Sequence, residues 1–380
     1  MTALRILHVL EATTAGVRRY VTELLAHRPG GWTVEVACPL IRATHFGDVA
    51  FAEDVNQLGV LLHPIPMRRS IGLSDIDAYR ALTRVIRAGR FDIIHTHSSK
   101  AGFLGRLAAK RAGVPVVHTP NGLYFIEQVG LRRRFYLWLE RLAGGWTTRL
   151  IAVSGGERVV MLRHKLAAPE RICLIENGVD AARVRALAGA GNVSLPGGSG
   201  PLVGGVGRMV PQKDPLTFVR AASIVSEAMP SARFVWCGDG ELRPAVESLA
   251  RGLNVPLRVT GHLENVWAAM RGFDVFALPS LYEGLPFTLL EAMALGIPAV
   301  ASDVVGTHDV LNDDSAGWRV PARDPGALAQ AVLDALARPA EARRRASAAA
   351  RLVETRFSIQ RMIDAHTALY EDVLQTSGSA

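Results

Sequence analysis

Short apolar runs alternate with longer segments of helical periodicity along most of the chain. In the first half the predicted strands are residues 5–10, 33–38, 61–66, 92–96, 114–118, 150–153 and 172–176. The pattern restarts in the second half at 202–206, 233–237, 257–260, 274–278 and 298–301. Strands that alternate with helices build parallel sheets. The pattern therefore predicts an α/β protein with two separate sheets.

The break between the two sheets is predicted at residues 186–201. This segment is rich in glycine, proline and small residues and has no periodic apolar face, as is typical of a linker. It divides an N-terminal domain, 1–185, from a C-terminal domain, 202–357. The amphipathic helical segment 358–375 is expected to pack back on the first domain, because its apolar face needs a surface to cover.

Composition and charge narrow the classes of function. With 49% hydrophobic and 21% charged residues the chain has a globular composition. The net charge of +8 favours an anionic partner, namely nucleic acid, a phosphorylated substrate or an acidic membrane face. No nucleic-acid-binding module is recognised, so nucleic acid is not expected. Three scattered cysteines, no export signal and no apolar run of the ~18–20 residues that span a membrane favour the cytoplasm, with any membrane contact peripheral.

Two motifs follow strands of the second half, where ligands of open parallel sheets bind. After strand 274–278, Glu283 precedes a predicted helix with Pro286 at its first position and Glu291 in its second turn. Amides at such a helix start favour an anion. After strand 202–206, a glycine-rich turn carries Arg208 and Lys213, which suit a diphosphate. The alternative is that these are solvated surface charges, and the turn fits neither the GxxxxGK[ST] nor the GxGxxG pattern.

Seven motifs in this order resemble the retaining family 4 glycosyltransferases. They are EATTAGVRR at 11–19, HTHSSKAG at 95–102, ENGVD at 176–180, VGRMVPQKD at 206–214, CGDGELRP at 237–244, GHLENV at 261–266 and EGLPFTLLEA at 283–292. The resemblance covers nearly the whole chain. It implies the GT-B fold, in which two Rossmann-like domains face each other across a cleft, with the first domain binding the acceptor and the second a nucleotide-sugar.

The resemblance also implies roles for individual residues. Arg208 and Lys213 are expected to bind the donor diphosphate and stabilise the departing nucleotide, Glu283 the donor sugar, and Glu291 the ribose hydroxyls. Leu263 is expected to contact the base, and Gly16 the diphosphate. The remaining expected donor ligands are Gly207, Gly284, Leu285, Pro286 and Phe287. No metal and no other cofactor is expected, because the two cations and the helix amides take the part that Mg²⁺ plays elsewhere.

One position departs from the family pattern. Where many relatives have a histidine that contacts the donor sugar, residues 117–122 read VHTPNG and place Asn121 there. An amide can bond a sugar hydroxyl but cannot carry an imidazole's proton. Retention in this family is usually ascribed to a front-face path in which the leaving phosphate takes the acceptor's proton, so no dedicated base is expected.

Histidines and a basic segment of the N-terminal domain are the acceptor-side candidates. His97 and Lys100 are expected in the turn after strand 92–96, although His97 is equally well explained as a structural histidine. His8 and His95 are expected in the core. Residues 123–143 mix arginines with aromatic residues, which suits a helix lying on an anionic membrane. The alternative is a core helix with a solvated basic face.

The sequence thus predicts a retaining glycosyltransferase that moves a sugar from a nucleotide-diphosphate sugar, with UDP-sugar favoured, to an acceptor. A lipid-linked glycan of envelope or exopolysaccharide synthesis is the expected acceptor, and the inner face of the plasma membrane the expected location. Two alternatives remain open: another GT-B activity, such as a phosphorylase or an epimerase, and a catalytically silent subunit that binds a nucleotide-sugar.

Overall fold

Two parallel β-sheets organise the chain in the computed structural model, which describes residues 4–40, 47–68, 71–191, 193–312 and 315–377. Each sheet belongs to its own compact unit. The first unit comprises Met1–Asn177 and Ile359–Ala380, and the second comprises Gly178–Ser358. Every strand pairing is parallel, which confirms the predicted α/β class with two Rossmann-like units.

The sheet of the first unit has the strand order β3-β2-β1-β4-β5-β6-β7. Its strands are β1 Leu4–Leu10, β2 Trp32–Cys38, β3 Leu61–Pro64, β4 Ile93–His97, β5 Val116–Thr119, β6 Arg149–Ala152 and β7 Ile172–Leu174. Its helices that precede the second unit in the chain are α1 Ala15–Ala26, α2 Gly47–Gln57, α3 Ser74–Gly89, α4 Ser99–Ala112, α5 Gly130–Gly144 and α6 Gly155–Arg163. All five residues of the central strand β4 are buried.

The sheet of the second unit has the order β10-β9-β8-β11-β12-β13. Its strands are β8 Leu202–Val206, β9 Arg233–Cys237, β10 Leu257–Gly261, β11 Val275–Leu278, β12 Ala299–Ser302 and β13 Trp318–Val320. Its helices are α7 Ala181–Gly189, α8 Pro215–Ala228, α9 Arg243–Gly252, α10 Val266–Met270, α11 Phe287–Ala294, α12 Val305–Val310, α13 Pro325–Ala337 and α14 Pro339–Thr355. The three-residue strand β13 was not predicted from the sequence.

The boundary between the units differs from the expected linker at 186–201. Residues 181–189 form α7, whose N-cap Asp180 accepts a hydrogen bond from the Arg183 amide at 2.9 Å. The helix buries Val184 and Ala188. Because the Leu187 carbonyl accepts from Asn265 Nδ2 at 2.7 Å, α7 packs as part of the second unit.

The last helix, α15 Ile359–Ser377, belongs to the first unit. Tyr370 is fully buried, and its hydroxyl lies 2.6 Å from His95 Nδ1 on β4. Asp372 pairs with Arg149 of β6 at 2.7 Å. The helix therefore completes a unit whose other elements all come before Gly178 in the chain.

No helix among the described residues is both long enough and apolar enough to cross a bilayer.

Candidate active site

The strand order of the second unit fixes where a ligand site lies. From β8 the chain runs outward to β9 and β10, and it then returns to the other side of β8 with β11. Strands β8 and β11 are therefore neighbours from which the chain continues in opposite directions along the sheet, and this is the topological switch point where open α/β sheets bind ligands. The loop after β8 carries Gly207, Arg208 and Lys213, and the loop after β11 carries Glu283.

The loop after β8 is held by the end of β9. The Gly207 amide donates to the Cys237 carbonyl at 3.0 Å, and Trp236 Nε1 donates to the Gly207 carbonyl at 2.8 Å. Gly238 has a φ of 142°, and a Cβ there would lie 2.1 Å from the Gly207 carbonyl oxygen. Glycine is required at 238 both by its backbone conformation and by this close approach. The end of β9 thus fixes the backbone of Gly207, next to Arg208.

The loops after β8 and β11 contact each other directly. Lys213 Nζ lies 2.5 Å from Glu283 Oε1, and the two side chains are only 13% and 7% exposed. Gln212 Nε2 donates to the Tyr282 carbonyl at 3.2 Å, while the Leu281 amide donates to the Gln212 carbonyl at 2.8 Å. Lys213, predicted to hold the diphosphate, and Glu283, predicted to hold the sugar, therefore lie side by side although they are 70 positions apart in sequence.

Arg208 is exposed beside this pair. Its Nη2 is 3.5 Å from Gln212 Oε1, a long and weak hydrogen bond. Because Gln212 is anchored on the loop after β11, the guanidinium lies on the same side of the switch point as Lys213. An anion that reached this edge would therefore meet a solvent-facing cation.

Helix α11 begins next to the same loop. Pro286 is its N-cap, with φ −74° and ψ 114°, and not its first helical residue as expected, because the extended ψ keeps it outside the helix. Its carbonyl accepts from the amides of Leu289 and Leu290. Gly284 is backed by Gly306, where a Cβ would lie 2.2 Å from the Gly284 carbonyl oxygen. Leu285 and Phe287 are buried, and so is Glu291 in the second turn.

The predicted base-binding turn follows β10. Gly261, with a φ of 72°, bridges to Gly238, so this turn adjoins the loop that supports Gly207. Leu263 is half-buried and His262 is exposed. The turn, the diphosphate loop and the start of α11 all follow strands of one sheet and line its carboxyl edge.

In the first unit, the two predicted ligands are Gly16 and Asn121. Gly16 is exposed in the first turn of α1, with open space where a Cβ would stand. Asn121 is half-buried after β5 in the left-handed conformation, with φ 56°, and its Nδ2 donates to the Thr119 carbonyl at 3.2 Å. Their predicted roles as ligands stay predictions.

The two acceptor-side candidates are placed differently from what the sequence led us to expect. His97 is not in the turn but is the last residue of β4, where it is fully buried and its Nε2 lies 2.9 Å from His8 Nδ1. Lys100 pairs with Asp75 at 2.5 Å and donates to the Arg68 carbonyl at 2.7 Å. His97 is buried because β4 extends one residue further than predicted and is covered on both faces. Lys100 is paired because α3 supplies the Asp75 carboxylate.

His97 belongs to a buried polar network of histidines and tyrosines. His8, His95 and His97 each place a ring nitrogen within 4.8 Å of the others. His95 contacts the Tyr370 hydroxyl and Thr119 Oγ1, and His8 Nδ1 contacts His97 Nε2. His97 Nδ1 is buried and has no hydrogen-bond partner among the described residues. Burial lowers the pKa of His8 to about 3 and the pKa of His97 well below its usual value. Neutral imidazoles here form a hydrogen-bond network in the core of the first unit.

Glu157 near the start of α6 is a buried carboxylate beside the Asn121 turn, and the sequence analysis did not single it out. It is 3% exposed, and its carboxylate accepts from the amides of Gly122 and Val153. Burial raises the pKa of Glu157 to about 7, against the opposing effect of these two hydrogen bonds. The S-x-x-E spelling of Ser154 to Glu157 is a helix-start signal that marks this residue in the sequence.

Comparison with known proteins agrees with this architecture. The chain matches the Glycosyl transferase 4-like domain over residues 15–178 and the Glycosyl transferases group 1 family over residues 200–338. It is 33% identical over 279 residues to the Escherichia coli UDP-Gal:alpha-D-GlcNAc-diphosphoundecaprenol alpha-1,3-galactosyltransferase, covering 70% of this chain and 72% of that one. It is 30% identical to the alpha-maltose-1-phosphate synthase of Mycolicibacterium smegmatis, covering 74% and 79%.

A solved structure shows the same fold over the full length. The crystal structure of Anabaena HepE in complex with UDP and glucose aligns with a TM-score of 0.80 at 17% identity, covering 97% of this chain and 100% of that one. The fold and the sequence matches define a GT-B glycosyltransferase. The chain belongs to the group 1 glycosyl transferases, which confirms the resemblance on which the site residues were predicted.

Proposed function

We propose that this glycosyltransferase moves a sugar from a nucleotide-diphosphate sugar, most favourably a UDP-sugar, to an acceptor with retention of configuration. The observation that carries the proposal is the contact of Lys213 with Glu283 at the switch point, beside the exposed Arg208. Two cations and a helix start converge on one edge, and a carboxylate that can bond a sugar hydroxyl stands among them. Such a site complements a diphosphate joined to a sugar.

The chemistry follows from where charge develops. As the glycosyl bond breaks, negative charge grows on the departing diphosphate, and preorganised cations stabilise that charge more than the ground state. Arg208 and Lys213 are proposed for this role, together with the amides at the start of α11. Glu283 would accept a hydrogen bond from the sugar, and Glu291 would accept from the ribose. The leaving phosphate would take the acceptor's proton, and no divalent cation is assigned a role.

Two relatives support the choice of donor and acceptor. The Escherichia coli enzyme is named for a UDP-Gal donor and a diphosphoundecaprenol-linked acceptor, and the Anabaena structure contains UDP. We therefore propose a UDP-sugar donor and a lipid-linked glycan acceptor for this chain. The wider role would lie in envelope or exopolysaccharide synthesis.

A donor panel tests the proposal. The purified chain is incubated with UDP-, GDP- and ADP-sugars and membrane lipid extract, and nucleotide release and glycolipid products are measured. We expect release of UDP from one UDP-sugar, faster with acceptor than without it. Binding of a UDP-sugar without turnover would instead identify a silent binding subunit, and turnover with free sugar phosphate would identify a phosphorylase.

The location proposed is the inner face of the plasma membrane, to which the exposed side of α5 would bind. We call this the basic aromatic surface, and its exposed residues are Val129, Leu131, Arg132, Arg133, Arg134, Phe135, Trp138, Arg141 and Leu142. Leu131 is 81% exposed and Trp138 56%. The core-helix alternative does not explain such large exposed apolar side chains. Arginines among exposed aromatics complement an anionic bilayer.

Replacing Arg132, Arg133 and Arg134 with glutamine should weaken binding to phosphatidylglycerol vesicles by about a hundredfold. Each basic side chain near an anionic surface contributes roughly 1 kcal/mol, so three removals amount to about 3 kcal/mol. Vesicle co-sedimentation at physiological salt measures the effect. The control replaces Arg343, Arg344 and Arg351, which are exposed on α14 and carry the same charge. Equal weakening in both triple variants would reject α5 as the membrane surface.

A further inference from the structure

The turn that carries Asn121 has an unusual backbone. Asn121 has φ 56° and the next residue, Gly122, has φ 110°. Two successive residues with positive φ are uncommon, and asparagine tolerates the left-handed region better than most residues. Such a turn persists where neighbouring groups hold it. The Asn121 amide bonds the Thr119 carbonyl within the same turn, so the restraint must also come from elsewhere.

Glu157 supplies that restraint. Its Oε1 accepts from the Gly122 amide at 3.1 Å, and its Oε2 accepts from the Val153 amide at 2.8 Å. The carboxylate therefore ties the turn after β5 to the end of β6. Residues 35 positions apart in sequence are joined by one buried side chain.

This contact goes beyond ordinary helix capping. Ser154 is the N-cap of α6, and its hydroxyl accepts from the Glu157 amide at 3.1 Å. In a capping box the glutamate side chain would return to the amide of the N-cap residue itself. Here it reaches one residue further back, to Val153, and uses its second oxygen on Gly122. Oε2 thus bonds the residue before the N-cap of α6, while Oε1 bonds the turn that carries Asn121.

We infer that Glu157 is a positioning residue that fixes the Asn121 turn in the conformation needed to bind the donor sugar. This inference rests on the proposed function together with the prediction from the sequence that Asn121 bonds the donor sugar. Asn121 is the predicted ligand of the sugar, whereas Glu157 acts through the Gly122 backbone. The helix-start function of Ser154 is separate, which makes the two roles separable by mutation.

The ionised form of Glu157 is the one that holds the turn. A carboxylate offers both oxygens as acceptors, whereas the protonated acid turns one of them into a donor that cannot accept from a facing amide. The pKa of about 7 places this change near neutral pH. Burial raises the pKa of Tyr20 on α1, and the Glu157 charge raises that pKa further, so Tyr20 stays neutral. The hold on Gly122 should therefore strengthen as pH rises through about 7.

The test compares Glu157→Gln with Ser154→Ala. Glutamine keeps the shape but presents an amide donor to one of the two backbone amides, while Ser154→Ala removes only the helix cap. We expect Glu157→Gln to lower kcat for sugar transfer by about 10- to 100-fold, since displacements of about 1 Å cost that much. Affinity for UDP alone should stay within about twofold, because the residues predicted to hold the diphosphate lie in the second unit. The rise of activity with pH near 7 should vanish.

Hydrogen exchange at the 119–124 peptide supplies a readout that needs no activity. Exchange should be faster in Glu157→Gln than in either wild type or Ser154→Ala. Equal exchange, or equal loss of transfer in the two variants, would overturn the inference. If wild type transfers no sugar at all, the proposed function fails, and the exchange comparison still decides whether Glu157 holds the turn. If Glu157→Gln does not fold, Glu157→Asp, whose shorter side chain cannot span both amides, replaces it.

Discussion

Replacing Arg208 with alanine should lower sugar transfer by about 10²- to 10³-fold, the loss that follows removal of one preorganised group facing developing charge. Thermal stability should remain unchanged, because Arg208 is exposed and its hydrogen bond to Gln212 is long. Initial rates with a UDP-sugar and acceptor, together with the melting temperature, measure both effects on the same preparation.

A matched arginine separates this effect from a loss of net charge. Arg251 is exposed on α9, away from the loops after β8 and β11 in the sequence, and its replacement with alanine removes the same charge. That variant should transfer sugar at the wild-type rate. A similar loss in both variants would indicate a general effect of charge and would remove Arg208 from the catalytic group.

Replacing Lys213 with methionine should lower the free energy of unfolding by about 3–5 kcal/mol, because it leaves the Glu283 carboxylate buried without its partner. Adding Glu283→Gln removes that unpaired charge and should restore most of the stability. Transfer should stay low in the single variants and in the double variant, since the donor site has lost its cation, its carboxylate or both. Urea unfolding and initial rates measure the two properties independently.

The two single variants and the double variant form a double-mutant cycle, and two of its outcomes would contradict this prediction. If the stability losses of Lys213→Met and Glu283→Gln simply add in the double variant, the two side chains do not interact in the folded protein. If transfer recovers along with stability, the pair is structural and the diphosphate is bound elsewhere.

The two-sheet fold could be predicted because its signal is local. Apolar runs such as β8 and β11 and the periodic helices between them are visible without tertiary knowledge, and parallel pairing follows from their alternation. Strand β13 was missed because Arg319 at its centre interrupts the apolar run on which the strand prediction depends. Helix α7 was misassigned in part because its small residues resemble a linker, although Val184 and Ala188 are buried.

The second-unit site was predictable for a related reason. Topology alone brings the loops after β8 and β11 together, and so it brings Lys213 close to Glu283. The partners of His97 and Lys100 could not be predicted from local sequence patterns, because His8 and Asp75 lie on other elements. The hold of Glu157 on Gly122 is a long-range contact of the same kind, hidden behind a local helix-start pattern.

The most direct test of the central claim is a crystal structure of the chain bound to UDP. We expect the diphosphate to lie within hydrogen-bonding distance, about 3 Å, of the Arg208 guanidinium and Lys213 Nζ, beside the start of α11, with the ribose hydroxyls at Glu291. Density for UDP away from Arg208 and Lys213, with the Lys213–Glu283 pair untouched, would contradict it.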